Sequence, residues 1–199
     1  MVGIIDYGGG NLISLRSSFA AIGVEAFVSG DAGELAKADR LILPGVGAFG
    51  DAAEKLRATG LDAFVREQAA AGKPLMGICL GMQLLFERSF EYGEHFGLGF
   101  LKGQVVGMSG RLPEGLKIPH MGWNALKLTK AAKLLEEGSY VYFVHSFYAE
   151  NCEDSIAAVT DYGIPITAAV EKGNIFGCQF HPEKSGNVGL AILKKFCEV

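Results

Sequence analysis

The stretch LMGICLGMQLLF, residues 75–86, places a cysteine between two glycines, Gly77 and Gly81, where an apolar run gives way to a helical pattern. A structural cysteine needs no glycine on either side. A nucleophile on a tight turn does, because the turn brings backbone very close to whatever the sulfur attacks. The segment predicts a strand, PLMGIC (74–79), running into a helix over 80–87, with Cys79 at the junction. The spacing G-x-C-x-G is that of a nucleophile elbow with cysteine in place of serine. A helix starting there aims its N-terminus at the sulfur and favours the thiolate. The same spacing also suits a tightly packed core cysteine, so by itself it leaves both alternatives open.

Upstream, VGIIDY (2–7), VEAFV (24–28) and RLILP (40–44) predict buried strands. Leu12, Leu15, Phe19 and Ile22 recur at helical spacing and stop at Gly23, and LDAFVREQAAAG (61–72) predicts a second helix ending at Gly72. Continuous apolar strands alternating with helices mark a parallel sheet covered on both faces. Downstream the pattern changes. GQVVGM, GWNALKLT, SYVYFVHSFY, SIAAVTDYG, IPITAAVEKG and NIFGCQF are strand-like runs broken by turn residues. They predict antiparallel hairpins added to the sheet, closed by an amphipathic helix over 187–198. The expected fold is α/β: a mostly parallel central sheet with helices on both faces and added antiparallel strands, in one domain over 1–199.

Composition narrows the function classes. The 199 residues are 49% hydrophobic and 20% charged, a globular profile. A net charge of −4 with scattered Lys and Arg argues against a nucleic-acid surface. No apolar run approaches the ~18 residues of a membrane helix. MVGIID is too short and too soon acidic for an export signal, which predicts a cytoplasmic protein. Cys79, Cys152, Cys178 and Cys197 lie far apart with no metal-binding spacing, so neither a metal nor a cofactor is expected. Cys152, Cys178 and Cys197 read as packed core.

Sites in open α/β sheets gather at the C-terminal ends of the strands. Three segments with unusual residues end predicted strands: PGVGAFG (44–50), GICLG (77–81) and QFHPEKS (179–185). A thiol nucleophile needs a base held by a third group. His181 precedes proline and is expected to be extended, so His181 and Glu183 project to one side and the carboxylate can orient the imidazole. An isolated H-P-E on a solvated turn is the alternative. Acyl transfer also needs oxyanion donors. The Leu80 N–H, just after the cysteine, is one candidate, and the glycines at 45, 47 and 50 free others. PGVGAFG and the GGGN at 8–11 could instead cradle a phosphate, although neither matches a phosphate-loop spacing. His95 reads as solvated, and His120 and His145 as satisfied structural histidines. Trp123, in HMGWN, suits core or interface.

Taken together, DYGGGN, LPGVGAFGDA, GICLGMQLLF, PHMGWN, YFVHSFY and QFHPEKSG resemble the class I glutamine amidotransferases, with their flavodoxin-like fold. Within that class the pattern is most similar to the glutaminase subunits of imidazole glycerol phosphate synthases. The resemblance implies that Cys79 is the nucleophile, His181 the general acid/base and Glu183 its orienting partner. It implies an oxyanion strand at Gly45, Val46 and Gly47, a second donor at Leu80, and glutamine contacts at Gln83, Ser146 and Phe147. It implies ammonia transfer to a (β/α)8-barrel cyclase subunit, and Trp123, Asn124 and Lys184 are then expected to face that partner. The same chemistry serving another synthase, a free-standing cysteine hydrolase and a non-catalytic binding module are the competing possibilities.

Overall fold

A computed structural model describes residues 1–199. Its first half alternates strand and helix: β1 (Val2–Ile5), α1 (Leu12–Ala21), β2 (Ala26–Ser29), α2 (Ala32–Leu35), β3 (Arg40–Leu43), α3 (Phe49–Ala58), α4 (Leu61–Ala70) and β4 (Leu75–Ile78). β1 pairs in parallel with β2 and β3, and β3 with β4. Every residue of β1 and β4 is buried, which is why these strands are unbroken apolar runs. Helix α1 turns Leu15 and Phe19 inward and ends before Gly23, whose φ of 73° no β-branched residue adopts comfortably. Helices α2 and α3 escaped the sequence pattern. The apolar positions of α3, Phe49, Ala52, Ala53 and Leu56, begin inside glycine-rich PGVGAFG, which hides their period.

The helix expected over 80–87 is corrected by the structure. Only one turn forms, α5 (Leu80–Gln83), and the chain then extends into β5 (Phe86–Ser89). Pairing overrides the helical pattern: β5 runs antiparallel to β6 (His95–Phe96) and parallel to β7 (Leu101–Gly107). The remaining elements are β8 (His120–Ala125), β9 (Lys127–Leu128), β10 (Tyr140–His145), β11 (Phe147–Glu150), β12 (Ile156–Asp161), β13 (Pro165–Lys172) and β14 (Ile175–Cys178). A 3₁₀ turn, Pro182–Lys184, and α6 (Gly186–Phe196) complete the chain.

The central sheet has the order β2-β1-β3-β4-β14-β13-β12-β9, with β14 parallel to β4 and the last three joined antiparallel. This is the expected α/β class. Not every later strand joins it, however. β8 and β10 form a ribbon of their own, and β11-β7-β5-β6 form a separate four-stranded sheet. SYVYFVHSFY, expected as one strand, bends at Ser146 so that β10 and β11 enter different sheets. Alternate residues of the central strands feed two cores. Ile5, Leu43 and Leu75 pack with α3 and α4 on one face, and Ile4, Ile42 and Met76 with α1 and α6 on the other. No helix is long and apolar enough to cross a membrane.

Candidate active site

Cys79 sits at the C-terminal end of β4 with φ 54° and ψ −112°, one of three non-glycine residues at positive φ. Strain of this kind persists only where the surroundings impose it, and it clusters at functional positions. The flanking glycines explain how it is imposed. A Cβ on Gly77 would lie 2.5 Å from the Gly81 carbonyl oxygen, and one on Gly81 would lie 1.8 Å from that of Leu43. Strand and turn therefore cross at backbone contact, with no room for a side chain. The Cys79 N–H donates to the Cys178 carbonyl at 2.8 Å, tying the elbow to β14. Because α5 is a single turn, the expected support of the thiolate by a helix macrodipole is corrected to the local N–H groups of that turn.

His181 lies just past β14 with an extended backbone, φ −101° and ψ 99°. Glu183 is not in a continuing extended segment, as the sequence suggested, but in the 3₁₀ turn that follows. The two side chains still meet. His181 Nδ1 donates to Glu183 Oε1 at 2.8 Å, with side-chain exposures of 4% and 1%. The turn is fixed on several sides. The His181 N–H donates to the Tyr142 carbonyl at 3.0 Å, and Ser185 Oγ donates to the His181 carbonyl at 2.7 Å. Helix α6 closes on the turn at Gly189, where a Cβ would stand 1.8 Å from the Pro182 carbonyl oxygen. Asn11 Nδ2 reaches Glu183 Oε1 at 3.5 Å, and Glu183 Oε2 is buried without a partner. Burial pulls the imidazole pKa down, but hydrogen bonds to Cys79 and Glu183 outweigh it and push His181 up to about 9. A pKa in that range favours a charged imidazole between the Cys79 sulfur and the Glu183 carboxylate at neutral pH.

The loop after β3 forms the other wall. Tyr7 Oη donates to the Pro44 carbonyl at 2.9 Å, and a Cβ on Gly45 would meet Tyr7 Oη at 2.7 Å and Leu80 Cβ at 2.9 Å. Val46 is 51% exposed, and Gly47 has φ 97°. Val46, Gly47, Cys79, Leu80 and His181 line a cleft of about 380 Å³. Gln83, Ser146 and Phe147, the residues the resemblance marked for glutamine contact, line the same cleft. Gln83 Nε2 donates to the Phe147 carbonyl at 3.1 Å and to Gln179 Oε1 at 2.9 Å, while Gln179 Nε2 lies 3.7 Å from Cys79 Sγ.

Five residues of the site had no role in the sequence analysis. Tyr7 and Asn11 lie in DYGGGN, which carried the family resemblance without assigning either residue a role. Gln179 opens QFHPEKS. Glu91 and Tyr92 line the cleft from the β5–β6 turn, a segment with no sequence signal. Glu91 accepts the Phe49 N–H at 2.7 Å, and burial raises its pKa.

The three residues expected at a partner surface separate in space. Trp123 is 53% exposed and stands edge-on to Tyr142, over whose ring the Lys184 ammonium lies at 6.0 Å. Asn124, next along β8, turns to the opposite face and contacts His120. His95 is not freely solvated as expected: its ring packs over Gly50, where a Cβ would lie 2.7 Å away. His120 and His145 are buried with hydrogen-bonded rings, as structural histidines should be.

A strained cysteine at the end of a parallel strand shares a glycine-walled cleft with a buried histidine–glutamate pair on a doubly wound sheet, an arrangement suited to cysteine-dependent acyl transfer. The family model described as "Glutamine amidotransferase class-I" matches residues 4–199. Proteins named "Imidazole glycerol phosphate synthase subunit HisH" align from end to end. That of Wolinella succinogenes is 51% identical, covering 100% of both chains. That of Caldanaerobacter subterraneus subsp. tengcongensis is 52% identical, covering 100% of this chain and 98% of the other. A solved glutamine amidotransferase structure superposes with a TM-score of 0.78 at 21% identity over 99% of this chain and 97% of the other. The PurLQS structure from Thermotoga maritima gives 0.76 at 22%, with the same coverage. The chain belongs to the class I glutamine amidotransferases and, within them, to the HisH family.

Proposed function

We propose that this chain, as a single glutaminase domain over 1–199, is the subunit of a cytoplasmic imidazole glycerol phosphate synthase that supplies ammonia for histidine biosynthesis. The Cys79 thiolate attacks the side-chain amide carbon of glutamine, and the C=O π electrons move onto oxygen. The resulting oxyanion is held by the Leu80 N–H and, from Gly45-Val46-Gly47, by the Val46 N–H. His181, positioned by Glu183, gives its proton to the departing amine, and ammonia leaves a γ-glutamyl thioester on Cys79. Water, losing a proton to the same imidazole, attacks the thioester and releases glutamate and the thiol.

At the far end of the cleft, Gln83 spends its amide nitrogen on Phe147 and Gln179. That leaves Oε1 to accept from the α-ammonium group of glutamine, with the Glu91 carboxylate as its counter-charge. Ser146 and Phe147 complete this end. Free ammonia would be protonated in bulk water and lose its nucleophilicity, so it must pass directly to an acceptor site. The partner is a (β/α)8-barrel cyclase subunit that makes imidazole glycerol phosphate and an aminoimidazole carboxamide ribonucleotide. Trp123 and Lys184, joined through Tyr142 at the rim of the cleft, are its docking residues, and Asn124 lies behind them.

The observation that carries this assignment is the strained Cys79 facing the His181–Glu183 pair. The test is glutamate release from glutamine by the purified chain, with and without the cyclase, together with Cys79→Ala. Glutaminase activity that survives Cys79→Ala, or that is indifferent to the cyclase, would refute it.

A further inference from the structure

His120 and His145 are register partners across the β8–β10 ribbon, and both face inward. His145 Nδ1 lies 2.8 Å from the Phe147 carbonyl oxygen, and its Nε2 lies 3.0 Å from His120 Nδ1. His120 Nε2 in turn lies 3.0 Å from Asn124 Oδ1, and the His120 ring is stacked between Phe143 and Tyr162 at 4.8 and 4.0 Å. The Phe147 carbonyl is also the acceptor for Gln83 Nε2. One chain of hydrogen bonds therefore runs from the ribbon through His120, His145, Phe147, Gln83 and Gln179 to the Cys79 sulfur.

Counting protons orders this chain. A carbonyl has no proton to give, so His145 Nδ1 carries one and donates to Phe147. In a neutral ring Nε2 is then a bare acceptor, to which His120 can donate from Nδ1. That uses the only proton of a neutral His120 and leaves its Nε2 as a lone pair facing Asn124. Three made contacts would need three protons, and two neutral rings carry two. Burial lowers both pKa values, His145 to about 3, so no third proton is present near neutrality. The chain of bonds toward the cleft stays continuous when that shortfall falls on the outermost contact, at Asn124.

We propose that His145, backed by His120, is a positioning residue for glutamine binding. Its Nδ1–H pins the Phe147 carbonyl, and the pinned carbonyl holds the Gln83 amide with its oxygen toward the cleft. This deepens the proposed function and rests on glutamine being the substrate. Gln83 meets the non-reacting end of glutamine in both ground and transition states, so loss of the tether appears in KM more than in kcat.

Two measurements on the full chain with its cyclase test this. ¹⁵N NMR of the histidine rings should find His145 and His120 both protonated at Nδ1 and bare at Nε2 at neutral pH. His145→Leu should raise KM for glutamine about tenfold, the worth of one buried hydrogen bond, with kcat little changed. His145→Asn, which keeps a donor where Nδ1 stood, should recover most of the wild-type KM and guards against loss of fold in the leucine variant. An Nε2–H tautomer on His145, an unchanged KM in His145→Leu, or an asparagine variant no better than leucine would overturn the proposal. Failure of the wild-type complex to hydrolyse glutamine would instead remove the substrate assignment, and this inference with it.

Discussion

His181 Nδ1 donates to Glu183 Oε1 at 2.8 Å although Glu183 sits in the 3₁₀ turn that follows His181 rather than farther along a strand. The bond commits one ring nitrogen to the carboxylate and leaves Nε2 for the thiol side. Because the imidazole pKa is raised to about 9, its charge contributes stability that is fully present below the unfolded value near 6.5. That contribution is lost as pH rises through about 9. The alkaline limb of kcat/KM should therefore fall in the same region, and Glu183→Gln should move it to lower pH. His181→Ala should cost more activity than Glu183→Gln, because both proton transfers run through the imidazole. A pH–rate profile of the two variants checks both points. An unmoved alkaline limb, or the reverse order of damage, contradicts the assigned roles.

Cys79 should be the one cysteine taken by a glutamine-mimicking electrophile. Burial raises the thiol pKa of Cys152 to about 11, raises that of Cys197, and holds that of Cys178 well above the ordinary thiol range. All three are held as unreactive thiols. Peptide mapping after labelling should find the adduct on Cys79 alone, and Cys79→Ala should abolish it together with glutamine hydrolysis. The cyclase complex of that variant should still turn over when supplied with ammonium salts at raised pH.

The loop 44–50 should control the second oxyanion donor. Tyr7 anchors it at the Pro44 carbonyl, while Val46 is exposed and Gly47 sits at φ 97°, so the Gly45–Val46 peptide lies at the free end of a tethered segment. That peptide is expected to take two orientations, only one of which aims the Val46 N–H into the cleft. The isolated chain should hydrolyse glutamine slowly, and cyclase with its nucleotide substrate should raise the rate by orders of magnitude. Val46→Pro deletes the donor and should cost ~10²–10³ in stimulated kcat while the complex still forms. A lone chain at full rate, or a normal response of the proline variant, places the control elsewhere.

Trp123 should carry much of the partner contact. It is large, half exposed, and braced by Tyr142 beside Lys184. Trp123→Ala should weaken cyclase binding by about 30-fold or more, the range of an aromatic anchor. Its thermal unfolding should stay close to wild type. Calorimetric titration of the two subunits measures the first, and an unchanged Kd would exclude this face.

Gly81→Ala should fail at the level of folding. The added methyl would lie 1.8 Å from the Leu43 carbonyl oxygen, a backbone atom that cannot move aside. The cost exceeds the ~1–3 kcal/mol of ordinary overpacking. Gly47→Ala, with open space at its Cβ, should fold and suffer only from strain at positive φ. Soluble yield and thermal unfolding separate the two.

Much of this site was legible in twelve residues. Gly77 and Gly81 flank Cys79 because two backbones cross there, and a steric demand that absolute leaves a residue-level trace. The parallel strands were legible for a similar reason: burial on both faces forces unbroken apolar runs such as VGII and LMGI. Leu84, Leu85 and Phe86 were not legible. Apolar residues after a helical turn continue the helical pattern in sequence, and only pairing of Phe86–Ser89 with β6 and β7 ends it, so that Leu84 and Leu85 form a turn and Phe86 opens the strand. Chain order likewise says nothing of the partition of β8 and β10 into a ribbon away from the central sheet.

What the sequence by itself determined, then, is whatever local sterics and burial dictate: the elbow, the wound sheet, and the candidate groups Cys79, His181 and Glu183. What only the tertiary structure decided is which distant groups meet them. Tyr7 against the 44–50 loop, Asn11 beside Glu183, Gln179 beside the Cys79 sulfur, Glu91 at the cleft, and the His120–His145 chain all depend on contacts between segments far apart in the chain. A polar side chain that finds its partner across such a distance carries no period and no spacing. Its role exists only once folding has removed water from around it and left that partner as the one hydrogen bond within reach.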